Sequence, residues 1–271
     1  MLKLGKEKDS VEYWENVGDA YTSALVGDYH GHRLGVIDAL IPQSLYQPGS
    51  VIFDFGCGNA VHFEQFLKSG AVITGIDISD VMIGLAHENL TANKRDTSLA
   101  QLADVNAMKA IPTASQDAVL SFNVLAYLNN DEEKTFYQET QRILKPGGQL
   151  IVTHSNELFD MFSLNRYTLE FFKKNFLQGG DSIEKLLKNA NLPEKYETYN
   201  VRENPLSYKH KLAAYGLSEI QQEFINKHNA PPALLNGKDY PDTLRVSAQE
   251  KWKLMFSCST YGSRAVKIAA V

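Results

Sequence analysis

Short, nearly all-apolar runs alternate with helical patterns through the first 155 residues of the chain. The clearest run is Val51–Phe55, which ends at a glycine turn. Similar runs occupy residues 71–77, 118–122 and 149–153, and a weaker one lies near 99–105. Strands this short and this apolar are typical of a parallel sheet that is covered on both faces.

Helical patterns fill the gaps between these runs. Residues 62–69 repeat apolar side chains at helical spacing, and Ser79 is a suitable N-cap for a helix that runs to about residue 93. Residues 131–144 carry acidic side chains at the start and Arg142 near the end, as the helix dipole favours. This alternation predicts an α/β fold built from right-handed β-α-β units.

The chain divides into four parts. Residues 1–46 contain two amphipathic patterns and predict a helical segment that leads into the sheet. Residues 47–155 form the alternating core, which is expected to bind a ligand. Residues 156–216 are an aromatic-rich insertion, too long for an ordinary connection, and predict a helical cap over the substrate. Residues 217–271 predict two strands that complete the sheet, with a helix between them.

The composition favours a small molecule as the partner. The chain has 271 residues, 44% of them hydrophobic, with 27 Lys and Arg against 32 Asp and Glu. Such an acidic chain lacks the basic surface of a nonspecific nucleic-acid or membrane binder, so we expect neither partner. Cys57 and Cys258 form no C-x-x-C pair, and no metal is predicted. The charged start and the lack of a long apolar stretch predict a cytoplasmic protein.

The candidate chemistry lies in the stretch Asp54-Phe-Gly-Cys-Gly-Asn59, directly after a strand and before a helix. Two glycines let the backbone turn tightly and approach a ligand, and the helix start offers free N–H groups. Asp77 stands 21 residues after Gly56, at the end of the second strand. A carboxylate there accepts hydrogen bonds from a ribose diol, so the pattern predicts a nucleoside-bearing ligand.

Two residues discriminate between the possible ligands. A dinucleotide fold favours a third glycine near position 61, where Val61 stands, and an apolar residue where Asp54 stands. A carboxylate beside the turn suits an ammonium or a sulfonium and opposes a pyrophosphate. These features favour S-adenosylmethionine over NAD. The alternatives are a nicotinamide-dependent oxidoreductase and a non-catalytic S-adenosylmethionine-binding protein.

The sequence resembles the class I S-adenosylmethionine-dependent methyltransferases, in their small-molecule branch, over about residues 48–155. The motifs that carry the resemblance follow one another with suitable spacing: Phe53-Asp-Phe-Gly-Cys-Gly58, Gly75-Ile-Asp-Ile-Ser79, Ala103-Asp-Val105, the run 117–125, and Leu144-Lys-Pro-Gly-Gly148. The resemblance implies a Rossmann-like sheet of seven strands, mostly parallel, whose last strand is antiparallel.

The resemblance also assigns roles at the glycine turn. It implies that Gly56, Cys57 and Gly58 pass beneath the methionine moiety of the cofactor. Asp54 is expected near the cofactor's ammonium group, and Asp77 at the ribose hydroxyls.

Further cofactor contacts are implied at the ends of later strands. Ile78 and Met82 are expected to pack on the adenine. Asp104 is expected to accept a hydrogen bond from the adenine amino group, and the Val105 N–H to donate one to the ring.

The reactive end of the cofactor is expected beside Asn123 and Val124. The resemblance also implies that the N-terminal helical segment 1–46 closes over the cofactor through Tyr21. The run 122–125 reads Phe-Asn-Val-Leu and lacks the Asn/Asp-Pro-Pro-Tyr/Phe motif of enzymes that methylate nucleic-acid bases. The predicted reaction is therefore an in-line transfer of a methyl group to an O or N atom of a small metabolite, a sugar or a biosynthetic intermediate.

Two side chains are candidates for a general base in that reaction. His154 follows the fifth strand at the carboxyl edge of the sheet, where the sites of open α/β folds lie. Tyr127 lies in the loop after the fourth strand. We therefore predict His154 as the first candidate and Tyr127 as the second.

Overall fold

The computed structural model describes residues 28–161, 202–227 and 247–268, together with residues 11, 14 and 15. Seven strands in this part of the chain form one sheet in the order β3-β2-β1-β4-β5-β7-β6. β7 is antiparallel to both of its neighbours, whereas the pairings among the first five strands are parallel. The predicted architecture is confirmed. The strands are β1 Val51–Phe55, β2 Val72–Asp77, β3 Ala100–Leu102, β4 Gln116–Ser121, β5 Leu144–Ser155, β6 Leu217–Lys227 and β7 Cys258–Lys267.

The helices lie where the patterns predicted them, with small shifts at their ends. Ser79 caps α3 by accepting a hydrogen bond from the Met82 N–H, as expected. Asn129 and Glu132 form a capping box at the start of α4. The sequence analysis did not predict this pair of capping contacts. The α-helices are α1 Asp28–Leu40, α2 Phe63–Lys68, α3 Asp80–Ala92, α4 Asn130–Ile143, α5 Glu157–Met161, α6 Tyr208–Ala214 and α7 Leu254–Ser257, and short 3-10 helices lie at Gln43–Leu45, Thr97–Leu99, Val105–Ala110, Leu125–Tyr127 and Ala248–Lys253.

The central strands are buried on both faces because helices cover each side of the sheet. In β1, Ile52 belongs to one apolar cluster, whereas Phe53 and Phe55 belong to the other. Successive side chains of a strand point to opposite faces, so a single run of apolar residues supplies both cores.

α1 covers one face of the sheet at the β6–β7 end. Its apolar positions Ile37 and Leu40 are almost fully buried. Gly262 of β7 permits this approach, because a Cβ at that position would lie 2.2 Å from Leu40 Cδ1. The helix predicted over the second amphipathic pattern of residues 1–46 is therefore part of the layer that covers the sheet.

The insertion at 156–216 is described only at its two ends. Residues 162–201 lie outside the described part, so the predicted cap stays a prediction there. The described end, residues 202–216, includes α6, which packs against β6. Its Tyr208 is fully buried against the sheet. This end of the insertion completes the layer on the face opposite α1.

Among the helices that the structure describes, none is long and apolar enough to cross a membrane.

Candidate active site

The glycine turn after β1 is held in place by the neighbouring strand. The N–H groups of Gly56 and Cys57 both donate to the Ile76 carbonyl, at 2.8 and 2.9 Å. Gly56 has φ +74° and Gly58 has φ +54°, a conformation that side chains disfavour. A Cβ on Gly56 would lie 2.1 Å from Val124 Cγ2. Only glycine therefore lets the turn pack this closely against the segment that follows β4.

Asp77 ties the end of β2 to the glycine turn. One of its carboxylate oxygens accepts from the Gly58 N–H at 2.9 Å, and the other accepts from the Ser79 N–H at 3.0 Å. Burial raises the pKa of Asp77, and the backbone donors at Ser79 and Gly58 oppose that shift. The carboxylate is thus fixed in orientation at the pocket wall, with lone pairs left for a ligand.

Asp54 is the most deeply buried carboxyl group of the site. It is 2% exposed, and its Oδ1 has no hydrogen-bond partner among the described residues. Burial raises the pKa of Asp54 to about 8, and the nearby charge of Asp77 adds to this effect. A buried carboxyl without a partner is costly, so the position suits a ligand that brings a positive charge to it.

A cavity of about 420 Å³ connects these features along the carboxyl ends of the strands. It extends from the ends of β3 and β2, past the glycine turn, to the segment that follows β4. Tyr21 lies outside the described residues. The structure brings the other predicted cofactor residues and Tyr127 together on the cavity's walls: Asp54, Gly56, Cys57, Gly58, Asp77, Ile78, Met82, Asp104, Val105, Asn123, Val124 and Tyr127.

The residues predicted for the adenine lie at the β2–β3 end of the cavity. Asp104 is exposed and caps the 3-10 helix Val105–Ala110, accepting from the Asn106 N–H at 2.9 Å. Met82 approaches the turn closely, since a Cβ on Gly58 would lie 3.0 Å from its Cε. Burial raises the pKa of the Cys57 thiol well above its usual value, so Cys57 is uncharged and serves as a small residue in the turn.

The segment after β4 forms the opposite wall. Asn123 has φ +62°, a strained conformation that asparagine tolerates better than most residues. Its N–H donates to Thr153 Oγ1 at 2.8 Å, which fixes the strand end against β5. Tyr127 packs edge-on against Trp14, with ring centroids 5.2 Å apart. Trp14 therefore lies on the cavity wall beside Tyr127.

The structure contradicts the prediction that His154 lies at the reaction centre. His154 is buried on the face that α4 and α6 cover, with its ring 4.4 Å from that of Tyr208 and 5.2 Å from that of Tyr261. It is absent from the walls of the cavity, whereas the neighbouring Thr153 points to the Asn123 side. Adjacent residues of a strand face opposite ways, which separates His154 from the pocket.

Several residues of the cavity wall were not predicted from the sequence. Arg33 and His62 line the cavity, and burial lowers the pKa of His62 to about 4 with help from the Arg33 charge. Beside the turn, Ala60 has φ +57°, whereas Val61 occupies the position where a third glycine was sought. No sequence pattern indicated Arg33 or His62.

The described residues hold no cluster of three or more His, Cys, Asp or Glu side chains that suits a metal ion. Cys57 and Cys258 are both buried free thiols.

Comparison with known proteins assigns the class. Residues 53–152 match the family model described as a methyltransferase domain. Together with the seven-stranded sheet and the glycine turn, this match places the chain among the class I S-adenosylmethionine-dependent methyltransferases, with S-adenosylmethionine as the cofactor. The nicotinamide-dependent oxidoreductase considered as an alternative is therefore wrong.

Two of the similar proteins are named as O-methyltransferases. A ubiquinone biosynthesis O-methyltransferase of Paracidovorax citrulli is 26% identical over 190 residues, which cover 67% of this chain and 77% of that protein. The corresponding enzyme of Dechloromonas aromatica is 26% identical over 183 residues, covering 64% of this chain and 76% of that protein.

Solved structures share the fold at low identity. Magnesium protoporphyrin IX methyltransferase from Synechocystis PCC 6803, solved with bound S-adenosylhomocysteine, has a TM-score of 0.57 at 14% identity and covers 95% of this chain and 97% of that one. The 4+2 cyclase SpnF has a TM-score of 0.65 at 15% identity and covers 98% of this chain and 99% of that one. Because one of these neighbours is a cyclase, the likeness supports the fold alone.

Proposed function

We propose that this methyltransferase methylates a hydroxyl oxygen of a small biosynthetic intermediate with an apolar body. The observation that carries the proposal is the continuous cavity, which has buried charged groups on its walls and an apolar stretch beside them. The O-methyltransferases among the relatives support oxygen as the methylated atom.

The charged groups of the cavity fit the cofactor. Asp54 offers a buried carboxyl with an unpartnered oxygen, and Arg33 is a buried cation on the same cavity. One anion and one cation match the ammonium and carboxylate of an amino-acid moiety. Asp77 is held by two backbone donors in an orientation suited to a ribose diol. When bound, S-adenosylmethionine supplies an electrophilic methyl group on a sulfonium.

The base-binding end is assigned to the residues between β2 and β3. Ile78 and Met82 provide apolar surface for the adenine, and the Val105 N–H and the Asp104 carboxylate provide polar contacts at its edge. Asp104 already accepts from Asn106, and a carboxylate has further lone pairs for a second donor. Its capping role and its proposed adenine contact are therefore compatible.

The acceptor end is assigned to the wall that α1 and the segment after β4 share. Leu34 and Ile37 come from α1, and Phe122 and Leu128 come from the β4 side. Apolar walls favour an acceptor with an apolar body over a bare sugar, whose hydroxyl groups all need polar partners.

The chain's contribution to the reaction is mainly positioning and exclusion of water. A sulfonium methyl is already reactive, so holding the nucleophile about 3–3.5 Å from it in line supplies much of the rate enhancement. The rigid turn, the Asn123–Thr153 contact and the Trp14–Tyr127 pair hold and cover this part of the cavity. Tyr127, rather than His154, stays as a candidate for contact with the acceptor.

Calorimetry followed by a product assay tests the proposal. We expect S-adenosylhomocysteine to bind and NAD to leave the heat signal unchanged. With S-adenosylmethionine and a panel of phenols, sugars and amines, we expect methylated product from a phenolic member. Product from sugars or amines only, or no release of S-adenosylhomocysteine with any member of the panel, contradicts the proposed acceptor. A lack of S-adenosylhomocysteine binding contradicts the cofactor pose.

A further inference from the structure

His62 lies on the wall of the cavity and has no structural task that accounts for it. Its ring packs edge-on against Phe122, with centroids 5.0 Å apart, and neither ring nitrogen forms a hydrogen bond within the described part of the chain. It stands at the N-cap position of α2 but makes no side-chain cap. The side chain is half-buried at the cavity, so its ring nitrogens are open to a ligand there.

The sheet order places His62 at the acceptor end of the cavity. The proposed adenine residues lie at the β2–β3 end of the sheet, and the glycine turn lies at β1. His62 instead contacts Phe122, which follows β4 and belongs to the apolar wall proposed for the acceptor. It therefore lies on the far side of the turn from the adenine, beside the apolar wall.

We propose that His62 is the general base of the reaction and takes the proton of the acceptor hydroxyl as the methyl group is transferred. This inference rests on the proposed function. It replaces His154, which the fold seals away from the cavity, and it assigns a catalytic role to a residue that the comparison with relatives leaves unassigned.

The electron and proton balance is simple. The hydroxyl oxygen forms the new bond to carbon with one of its lone pairs, and the pair of the broken carbon–sulfur bond goes to sulfur. The O–H proton passes to the free ring nitrogen of His62, which becomes an imidazolium and later releases it to solvent. No oxidant, reductant or metal enters the step.

A neutral imidazole is suited to this step even when its basicity is reduced. Burial and the Arg33 charge lower the pKa of His62 to about 4, so the ring is unprotonated near neutral pH. As the new bond forms, the attacking oxygen becomes positively charged and its proton strongly acidic, so a weak base is sufficient. Among the described residues, the charged group that acts on His62 is Arg33 on α1, and the neighbouring Phe122 on the β4 side is uncharged.

The first test observes the His62 ring directly, with catechol as the probe. Protein with isotope-labelled histidine is saturated with S-adenosylhomocysteine, and the His62 signals are assigned by their loss in His62→Gln. We expect added catechol to shift the His62 ring signals and to leave those of His87, which is bonded to the Ala100 carbonyl, in place. Catechol that leaves the His62 signals unchanged up to its solubility limit overturns the proposal.

The second test compares variants in turnover with catechol. General-base catalysis contributes about 100-fold or more, so we expect His62→Gln to lose about that factor in kcat while its affinity for S-adenosylhomocysteine stays within about twofold. Its remaining activity should rise with pH as free phenolate accumulates, whereas wild type should be flat over the same range. The matched control His87→Gln should behave as wild type.

The outcomes separate this inference from the function on which it rests. Wild type that fails to bind S-adenosylhomocysteine contradicts the proposed function. Wild type that binds it and methylates catechol, with His62→Gln equal to wild type in turnover, overturns the role of His62 alone. Wild type that binds it but does not methylate catechol contradicts the proposed acceptor and, with it, the role of His62. A His62→Gln variant that loses cofactor affinity in proportion to its activity also overturns it, because His62 is then part of the cofactor site.

Discussion

The two regions around His62 and His154 make an instructive comparison, because each contains a histidine that burial has made a weaker base. The pKa is lowered to about 4 at His62 and to about 3 at His154. His62 lines a cavity, whereas His154 belongs to an aromatic cluster formed with Tyr137, Tyr208 and Tyr261. A lowered pKa is therefore no sign of catalysis by itself, and access to a ligand decides between the two.

The aromatic cluster has the features of a structural core. The hydroxyl groups of Tyr137 and Tyr208 are hydrogen-bonded at 2.9 Å, and both rings are fully buried. Lys211 of α6 bridges Glu133 and Glu203 beside them. These contacts attach the described end of the insertion to α4. We infer that the cluster stabilises the fold, whereas the cavity residues serve ligand binding.

The largest expected effect is on stability, at the aromatic cluster. We expect Tyr208→Ala to lower the free energy of unfolding by about 3–5 kcal/mol, because it opens a cavity between α6 and the sheet. Tyr208→Phe keeps the ring and should cost only about 1–1.5 kcal/mol through the lost hydroxyl contact. Urea unfolding measures both. Equal losses in the two variants contradict a packing role for the ring.

The next effect is on ligand affinity, at the glycine turn. We expect Asp77→Ala to weaken S-adenosylhomocysteine binding by about 3 kcal/mol, roughly 100-fold, because two charge-assisted hydrogen bonds at about 1.5–3 kcal/mol each are lost. Asp96→Ala removes a comparable carboxylate that caps a backbone N–H away from the cavity and should leave the affinity unchanged. Calorimetry on the three proteins settles the ribose assignment, and unchanged affinity in Asp77→Ala refutes it.

A third prediction concerns acid stability and His154. The folded state keeps the His154 ring neutral down to about pH 3, whereas in the unfolded chain the ring binds a proton below about pH 6.5. Stability therefore falls as the pH drops through that window, by about 1.4 kcal/mol per pH unit, and no such loss occurs above it. At pH 5 we expect wild type to have lost about 2 kcal/mol relative to pH 7 that His154→Gln retains. Parallel pH–stability curves for the two proteins would falsify the claim that the folded state lowers the pKa of His154. We also expect His154→Gln to keep the turnover of wild type.

The smallest effect is a pH dependence of ligand binding at Asp54. Its carboxyl group, with a pKa of about 8, is mostly protonated at pH 6.5. A bound ammonium group favours the ionised form, so S-adenosylhomocysteine affinity should rise about tenfold from pH 6.5 to 8 and release a proton. Asp54→Asn should show a flat profile. Calorimetry in two buffers of different ionisation enthalpy detects the proton, and identical heats in both buffers contradict the prediction.

The glycine turn was predictable because its signal is local. Asp54, Gly56 and Gly58 lie within one turn of chain, and Asp77 follows at the end of the next strand. The helix caps and the glycines act through neighbours only a few residues away, so their spacing carries the information. The same holds for the strand order of the core, which the repeated β-α-β pattern restricts to few arrangements.

The two faces of the sheet were decided by the tertiary structure. β5 is buried on both sides, so its sequence has no alternation of polar and apolar residues that reveals which way His154 points. A shift of one residue along a strand exchanges the two faces, and here Thr153 lies on the cavity side while His154 lies in the aromatic cluster. His62 gained its surroundings from α1 and the β4 end, elements distant in sequence that only packing brings together. The chain's local patterns thus determined its fold and its glycine turn, and long-range packing determined which histidine reaches the cavity.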